Sequence, residues 1–269
     1  MPAAVFLLLA ALAFGPCIRA DTGSNSGEPF YSSASIVNAA ANLDGPLAPN
    51  CIATIYGTNL AYSTRGITSQ DLQGGSLPYV LANTGVRVWV NNIAAAIYFV
   101  SPSQINFLVP SALTAGPATV VVTLNGHAGP AVPVNIADSA PAFFQFNAQS
   151  VAAAHADGSP VTNDAPARPG EIVVLYATGL GQTAPPVVYA ELATKATSIR
   201  NQVGLQVLLN GVAVDPSAIY YAGLAAGFAG LYQINLQLPQ TVGPNPEIRI
   251  GVSTVVSPPN LIIPVQSGQ

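Results

Sequence analysis

The chain has 269 residues, of which 50% are hydrophobic and only 7% are charged, against about 25% charged residues in an average soluble domain. Seven Lys and Arg residues face eleven Asp and Glu residues, which leaves a formal net charge of -4. These values exclude a nucleic-acid-binding protein, which needs a basic surface to neutralise phosphates, and a disordered chain, which combines low hydrophobicity with high net charge.

The N-terminus predicts a secretory signal peptide, residues 1–20. Residues Ala3 to Phe14 form an apolar run that fits a signal peptide and is too short to span a bilayer, for which about 20 residues are needed. Cleavage after Ala20 would leave a polar tail, residues 21–34. The alternatives are an uncleaved membrane anchor and lipid attachment at Cys17. Since no later segment has 18 uninterrupted apolar residues, we predict a secreted, extracellular or cell-surface protein without a membrane span in its mature chain.

Removal of the signal peptide would leave Cys51 as the sole cysteine, which excludes an intramolecular disulfide. A single thiol in an exported protein is either reactive toward a partner or a small buried hydrophobe. We interpret Cys51 as buried, because it stands at the start of a predicted strand.

Three sequence blocks occur twice in the same order, which indicates an internal duplication. The first block repeats Pro, Ile, Tyr, Thr and Leu at equal positions 120 residues apart. The matched blocks are residues 49–60 with 169–180, 85–91 with 204–210, and 104–110 with 233–239. Each unit has about 100 to 120 residues, which is the size of one β-sandwich domain.

Short β-branched segments between glycine and proline clusters predict strands in both units, for example at residues 118–124, 172–176 and 247–252. Asn125-Gly126 and Asn210-Gly211 predict tight turns, and no segment shows sustained helical periodicity. We therefore predict an all-β fold of two tandem Ig-like β-sandwiches that arose by internal duplication. The predicted boundaries are residues 35–142 for sandwich 1, residues 143–166 for a linker, and residues 167–269 for sandwich 2.

The third repeated block carries a pair of amide side chains in each unit, Gln104 with Asn106 and Gln233 with Asn235. Because side chains alternate along a strand, the hydrophobic residues between the amides should face the core and the amides the other side. The amides predict either a polar network that ties a loop to the sheet edge or a ligand surface used twice. We favour the network, because a duplicated ligand site would more often diverge.

Residues 221–230 have no full counterpart in the first unit, and this glycine- and alanine-rich segment carries Phe228. It predicts a long connection whose Phe packs onto the sheet, or a mobile binding loop. The aromatic candidates for a ligand surface are Trp89, Tyr98, Phe228 and Tyr232. Core packing would explain each of them equally well.

The blocks belong to a longer series of motifs in fixed order. The series consists of SIVNAA at 35–40, LAP at 47–49, IYGTNL at 55–60, SPSQIN at 101–106, ATGLG at 177–181 and GLYQIN at 230–235. From about Ser35 to Val265 the chain resembles the uncharacterised C-terminal domain found on many secreted acidobacterial (Solibacter-type) proteins. The resemblance implies an exported bacterial protein and brings no catalytic residues. The strand pattern is also similar to Ig-like domains of the transcription-factor/plexin type, a likeness of fold alone.

Candidate catalytic and metal-binding groups are few. No serine lies in a nucleophile-elbow motif that His155 could serve, no pair of acids has a glycosidase arrangement, and loop polarity accounts for His127 and His155. Two histidines and one cysteine are too few and too far apart for zinc. Asp157-Gly158-Ser159 and Asn163-Asp164 offer oxygen ligands for calcium without EF-hand spacing, and we interpret them as a solvated linker. We predict no metal and no cofactor.

These observations predict that the protein is not an enzyme. We expect an exported extracellular or cell-surface module for binding or adhesion, whose partner is a protein or a glycan. One alternative is enzymatic, either an accessory domain of a secreted polysaccharide-acting hydrolase or such a hydrolase with an unrecognised site. The other alternative is a purely structural spacer.

Overall fold

Residues 27–266 are described by a computed structural model of the chain. The predicted signal peptide, Cys17 and residues 21–26 of the predicted tail lie outside the described residues. The described chain contains strands and three short 3-10 turns, at Ser33–Ser35, Ser69–Asp71 and Pro216–Ala218, and no α-helix. Within it, therefore, no helix is long and apolar enough to cross a membrane.

Nine strands form the first unit. They are β1 (Ile36–Asn38), β2 (Ile52–Tyr56), β3 (Arg65–Gly66), β4 (Val86–Val90), β5 (Ile93–Val100), β6 (Gln104–Leu108), β7 (Gly116–Leu124), β8 (His127–Ala128) and β9 (Val132–Ile136). Their order is β1-β2-β6-β5-β4-β7-β8, with β3 beside β5 and β9 beside β7. The start of β5 pairs with β4 and its remainder with β6, so one sheet folds over on itself. It encloses a core that includes Ile55, Ile97 and Phe107.

Ten strands form the second unit. They are β10 (Ala142–Phe143), β11 (Ala153–Ala154), β12 (Ile172–Thr178), β13 (Thr197–Ser198), β14 (Leu205–Leu209), β15 (Val212–Ala213), β16 (Ile219–Leu224), β17 (Tyr232–Gln237), β18 (Ile248–Val252) and β19 (Val255–Val256). One sheet has the order β10-β12-β17-β16-β13 with β11 beside β12, and the other has the order β15-β14-β18-β19. A second core between them includes Leu175, Ile234 and Ile250.

The strand register reproduces the sequence repeat. Tyr56 of β2 lies opposite Gln104 of β6, and Tyr176 of β12 lies opposite Gln233 of β17. A register shift also occurs at the same place in both units, in β5 against β6 and in β16 against β17. The protein is therefore all-β, with two tandem Ig-like sandwiches from an internal duplication, as predicted.

Residues 143–166, predicted to be a linker, contribute to the second sandwich instead. Strands β10 and β11 both pair with β12, and Phe143, Val151 and Val161 are buried in the second core. The polar composition that indicated a linker belongs to the turn around Asp157, which interrupts a segment whose small apolar residues pack inward.

The insertion in the second unit packs against sandwich 1. A third buried cluster contains Phe228 and Leu231 from sandwich 2 together with Ile52, Tyr98 and Leu108 from sandwich 1. Phe228 is 9% exposed, so it is a packed side chain that joins the two units.

Hydrogen bonds from three side chains close this contact. The Tyr98 hydroxyl donates to the Ala229 carbonyl. The Thr178 hydroxyl accepts from the Ile52 amide at 2.9 Å and donates to the Gly230 carbonyl at 2.7 Å.

Tyr189 adds a third crossing, since its hydroxyl accepts from the Ala96 amide at 2.9 Å and donates to the Leu108 carbonyl at 2.6 Å. Gly230 has a positive φ of 70°, and a Cβ there would lie 2.3 Å from the Leu108 side chain. The backbone of the insertion therefore approaches sandwich 1 more closely than any other residue type would permit.

We expect Phe228→Ala to lower the free energy of unfolding by about 3 kcal/mol, because it leaves a cavity between the sandwiches. Urea unfolding followed by tryptophan fluorescence measures the change. Tyr220→Ala is the matched control, since Tyr220 is 58% exposed and its loss should cost about 0.5 kcal/mol or less. Equal stability of the two variants would show that the insertion does not hold the units together.

Candidate functional site

Three of the four candidate aromatic residues are buried in the structure. Tyr98 and Phe228 lie between the sandwiches, and Tyr232 is fully buried in the second core. The Tyr232 hydroxyl donates to the Gly181 carbonyl, and burial raises the pKa of both the Tyr98 and the Tyr232 phenols. These tyrosines are neutral donors within the fold, and they present no ring to a ligand at the surface.

Trp89 is the member of that set that reaches the surface. In β4 the side chains of Val86, Val88 and Val90 are buried, whereas Arg87 is exposed and Trp89 is half-buried on the outer side of the sheet. This alternation follows from the period of two in a strand. The core therefore does not depend on the indole ring.

The neighbours of Trp89 form a mostly uncharged surface. Trp89 lies opposite Ala94 of β5 and Val121 of β7, and Thr119 and Thr123 extend the same side of β7. With Arg87 at its edge, this set is called the Trp89 face. Within the described residues the indole N–H has no hydrogen-bond partner. An aromatic ring with a free donor can stack on an apolar ligand surface and bind a hydroxyl at its edge.

Arg87 belongs to this face, although the sequence analysis did not select it. Its side chain is exposed and makes no ion pair with the described part of the chain. The alternation of VRVWV would have found it, because it places Arg87 and Trp89 on the same side of β4.

The repeated amides make the same hydrogen bond in both units. Gln104 Nε2 donates to Asn106 Oδ1 at 2.9 Å, and Gln233 Nε2 donates to Asn235 Oδ1 at 2.7 Å. The first pair is buried and also accepts from the Thr54 hydroxyl, whereas the second pair is half-buried. This geometry favours the structural network over a ligand surface in sandwich 1.

His155 forms a clasp at the start of the second sandwich. Its Nδ1 lies 2.5 Å from Glu171 Oε1, and its Nε2 lies 3.1 Å from the Ala165 carbonyl oxygen. The other carboxylate oxygen of Glu171 accepts from the Arg168 amide at 2.8 Å. Both ring nitrogens therefore face acceptors, which holds the loop 155–165 against β12 and leaves neither nitrogen directed at a substrate.

The oxygen atoms of the turn beside His155 accept hydrogen bonds from the same loop. The Asp157 carboxylate accepts from the Ser159 amide at 2.9 Å and from its hydroxyl at 2.6 Å, and these hydrogen bonds lower the pKa of Asp157. Asp164 lines an open groove of about 780 Å³ beside His155. Among residues 27–266 no three His, Cys, Asp or Glu side chains are grouped to hold a metal ion.

Cys51 is fully buried in the first core, as interpreted from the sequence. Burial raises the pKa of its thiol to about 12, and the thiol donates to the Ile52 carbonyl at 3.2 Å. The side chain therefore behaves as a small hydrophobe, because a neutral thiol without solvent access is a poor nucleophile.

A comparison with known protein families found a match in the first sandwich. Residues 43–143 match the IPT/TIG domain family, which agrees with an Ig-like fold for that unit. No curated protein matches the chain. The resemblance to the acidobacterial C-terminal domain stays a prediction.

Several solved structures are similar to this chain at low identity. The Bacteroides ovatus SGBP-B of a mixed-linkage glucan utilization locus, in complex with a mixed-linkage heptasaccharide, is 10% identical over 83% of this chain and 44% of that chain, with a TM-score of 0.32. The plexin A4 extracellular region is 12% identical over 95% of this chain and 18% of that chain, with a TM-score of 0.27. Domains 5-6 of the S-layer protein SbsC are 12% identical over 90% and 100%, with a TM-score of 0.26. The chain spans less than half of the first two.

The His155 clasp predicts a dependence of stability on pH. Burial by itself would lower the pKa of His155, but hydrogen bonds to Glu171 and Ala165 and nearby carboxylates outweigh it, so the pKa is raised above 6.5. The charged imidazole therefore stabilises the fold fully below pH 6.5, and this contribution is lost as the pH rises through the folded-state pKa.

We expect His155→Gln to lower the melting temperature more at pH 5.5 than at pH 8.5, by a small amount because the pair is partly exposed. Thermal unfolding followed by circular dichroism measures it. His127→Gln is the matched control, since His127 lies exposed on β8. An equal loss at both pH values would contradict the charged clasp.

Proposed function

We propose that the protein is an exported, non-enzymatic binding module of the extracellular space or cell surface, and that its Trp89 face binds a neutral polysaccharide. The observation that carries the proposal is the position of Trp89. A large aromatic ring lies on the outer side of a sheet, where the core does not require it and its N–H has no partner in the described chain.

The chemistry of the face selects the class of ligand. The C–H faces of sugar rings are apolar and stack on aromatic rings, while their hydroxyls need donors and acceptors at the ring edge. Trp89 offers the stacking surface, and the Thr119 and Thr123 hydroxyls and the Arg87 guanidinium offer hydrogen bonds around it. One charged group on this face gives little attraction to a highly charged polymer.

The setting of the protein supports export. The apolar N-terminal run predicts a signal peptide, and the chain has a low charge. An unpaired, inert Cys51 is compatible with an oxidising environment, because its thiol is buried.

The enzymatic alternative has one candidate group, His155. A general base needs a free nitrogen within reach of the proton that it takes. Both nitrogens of His155 are held by Glu171 and by the Ala165 carbonyl, which supports the non-enzymatic proposal. The spacer alternative differs from it in expecting a stable fold that binds no ligand.

We expect the protein to bind at least one neutral polysaccharide and Trp89→Ala to weaken that binding about tenfold or more, because a central Trp contributes much of the energy of such a contact. Affinity electrophoresis against glucans, mannans and xylans measures the change. Tyr62→Ala is the control, since Tyr62 is 71% exposed on a loop outside the Trp89 face. Unaltered binding by Trp89→Ala, or no binding to any of the polymers, would refute the proposal.

We also expect no release of reducing sugars from the same polymers, because both nitrogens of His155 are engaged by acceptors within the fold. A colorimetric assay of reducing ends measures the release. Hydrolysis that is present in the wild type and absent in His155→Ala would establish the enzymatic alternative instead.

A further inference from the structure

A cleft of about 960 Å³ lies where segments of the two sandwiches converge. Sandwich 1 contributes Asn135, Asp138 and Ser139, which lead from β9 into the second unit, and sandwich 2 contributes Gln182, Arg200 and Asn201. Binding sites are common at such junctions between domains, and this volume lies within the usual range of about 300 to 1,000 Å³.

Several planar polar side chains line the walls among small and apolar residues. Amide, carboxylate and guanidinium groups can each make two parallel hydrogen bonds, a geometry that matches neighbouring hydroxyls on a sugar ring. Asn201 is held in place, since its Nδ2 donates to Ser253 Oγ at 2.8 Å and its Oδ1 accepts from the Gly204 amide at 3.1 Å. Asp138 and Arg200 are exposed and make no ion pair with a described residue.

The cleft continues the Trp89 face. Strand β9 pairs with β7, with Pro133 opposite Thr119 and Asn135 opposite Pro117. These four residues are exposed and alternate with residues that are buried or half-buried, so they lie on the same outer side of the sheet as Trp89. Asn135 lies two strands away from Trp89 and is displaced from it by four residues along the strand direction. With the usual strand spacing and rise per residue, the two residues are about 16 Å apart.

The surface between these two points carries no charge. Thr119, Pro117 and Pro133 lie along the way, and the cleft contains one acidic and one basic side chain, Asp138 and Arg200. A strongly anionic chain would meet Asp138 and a strongly cationic one would meet Arg200. The surface is therefore complementary to a neutral chain.

We propose that the Trp89 face and the cleft form one track for an extended, neutral, β-1,4-linked polysaccharide, with Trp89 stacking on one sugar and the cleft binding the hydroxyls of another further along. The inference rests on the proposed function and specifies its ligand. A sugar with its glycosidic oxygen spans about 5 Å, given bond lengths near 1.5 Å, so the track accommodates a tetrasaccharide. A row of exposed side chains across paired strands suits a β-1,4-linked chain because that chain is itself an extended ribbon.

The test compares ligand lengths by isothermal titration calorimetry. The probes are β-1,4-linked gluco-, manno- and xylo-oligosaccharides from disaccharide to hexasaccharide, and the proteins are the wild type, Trp89→Ala and Arg200→Ala. Arg168→Ala is the matched control, because Arg168 is also exposed but lines the groove beside His155. Since Arg200 and Arg168 are both exposed, neither substitution should affect folding.

We expect the wild-type affinity for one series to rise about tenfold or more from disaccharide to tetrasaccharide and then to level off. Arg200→Ala should bind the disaccharide like the wild type and lose most of that rise, Arg168→Ala should match the wild type, and Trp89→Ala should lose affinity at every length. An affinity that does not depend on length, or a full rise in Arg200→Ala, would overturn the track and leave the proposed function standing. No binding of any oligosaccharide or polymer by the wild type would overturn both.

Discussion

The contact between the second-unit insertion and sandwich 1 is the constraint on which the arrangement of this protein depends. Phe228 fills the space between the units, and the Tyr98, Thr178 and Tyr189 hydroxyls satisfy backbone groups that this contact removes from water. An unsatisfied buried group would cost about 1–3 kcal/mol, so these side chains make the close approach at Gly230 possible. Two sandwiches joined in this way keep both walls of the cleft in a fixed relation.

The same contact explains how the two repeats have diverged. At equivalent positions, sandwich 1 pairs Ile52 with Leu108, and sandwich 2 pairs Ile172 with Gln237. The first pair is covered by the insertion and is apolar. The second pair is partly exposed and has an amide, which fits a surface in contact with water. The two units therefore share one strand register because of the duplication, and they differ in side chains where one unit is buried and the other is exposed.

Uncharged polar groups perform the roles that charges have in other proteins. The amide pairs bond to each other, and tyrosine hydroxyls and Asx turns satisfy backbone groups. The described residues contain two ion pairs, Arg65 with Asp71 and, when His155 is protonated, His155 with Glu171. His155 has a structural role, since its two ring nitrogens both face acceptors. A protein stabilised in this way retains broad neutral surfaces, and neutral polymers are the ligands that such surfaces fit without a desolvation penalty for charge.

The sequence by itself determined the all-β class and the duplication, because alternation and repetition are local properties of the chain. The sequence analysis assigned residues 143–166 to a linker and named Tyr98, Phe228 and Tyr232 as candidate ligand contacts. Both differ from the structure, because a local sequence pattern does not show burial against a distant segment. Asp138 and Arg200 were not selected at all, since they come together only when the two sandwiches pack. The tertiary structure alone decided which aromatic rings face water and where a cleft opens, because both depend on contacts between residues far apart in the chain.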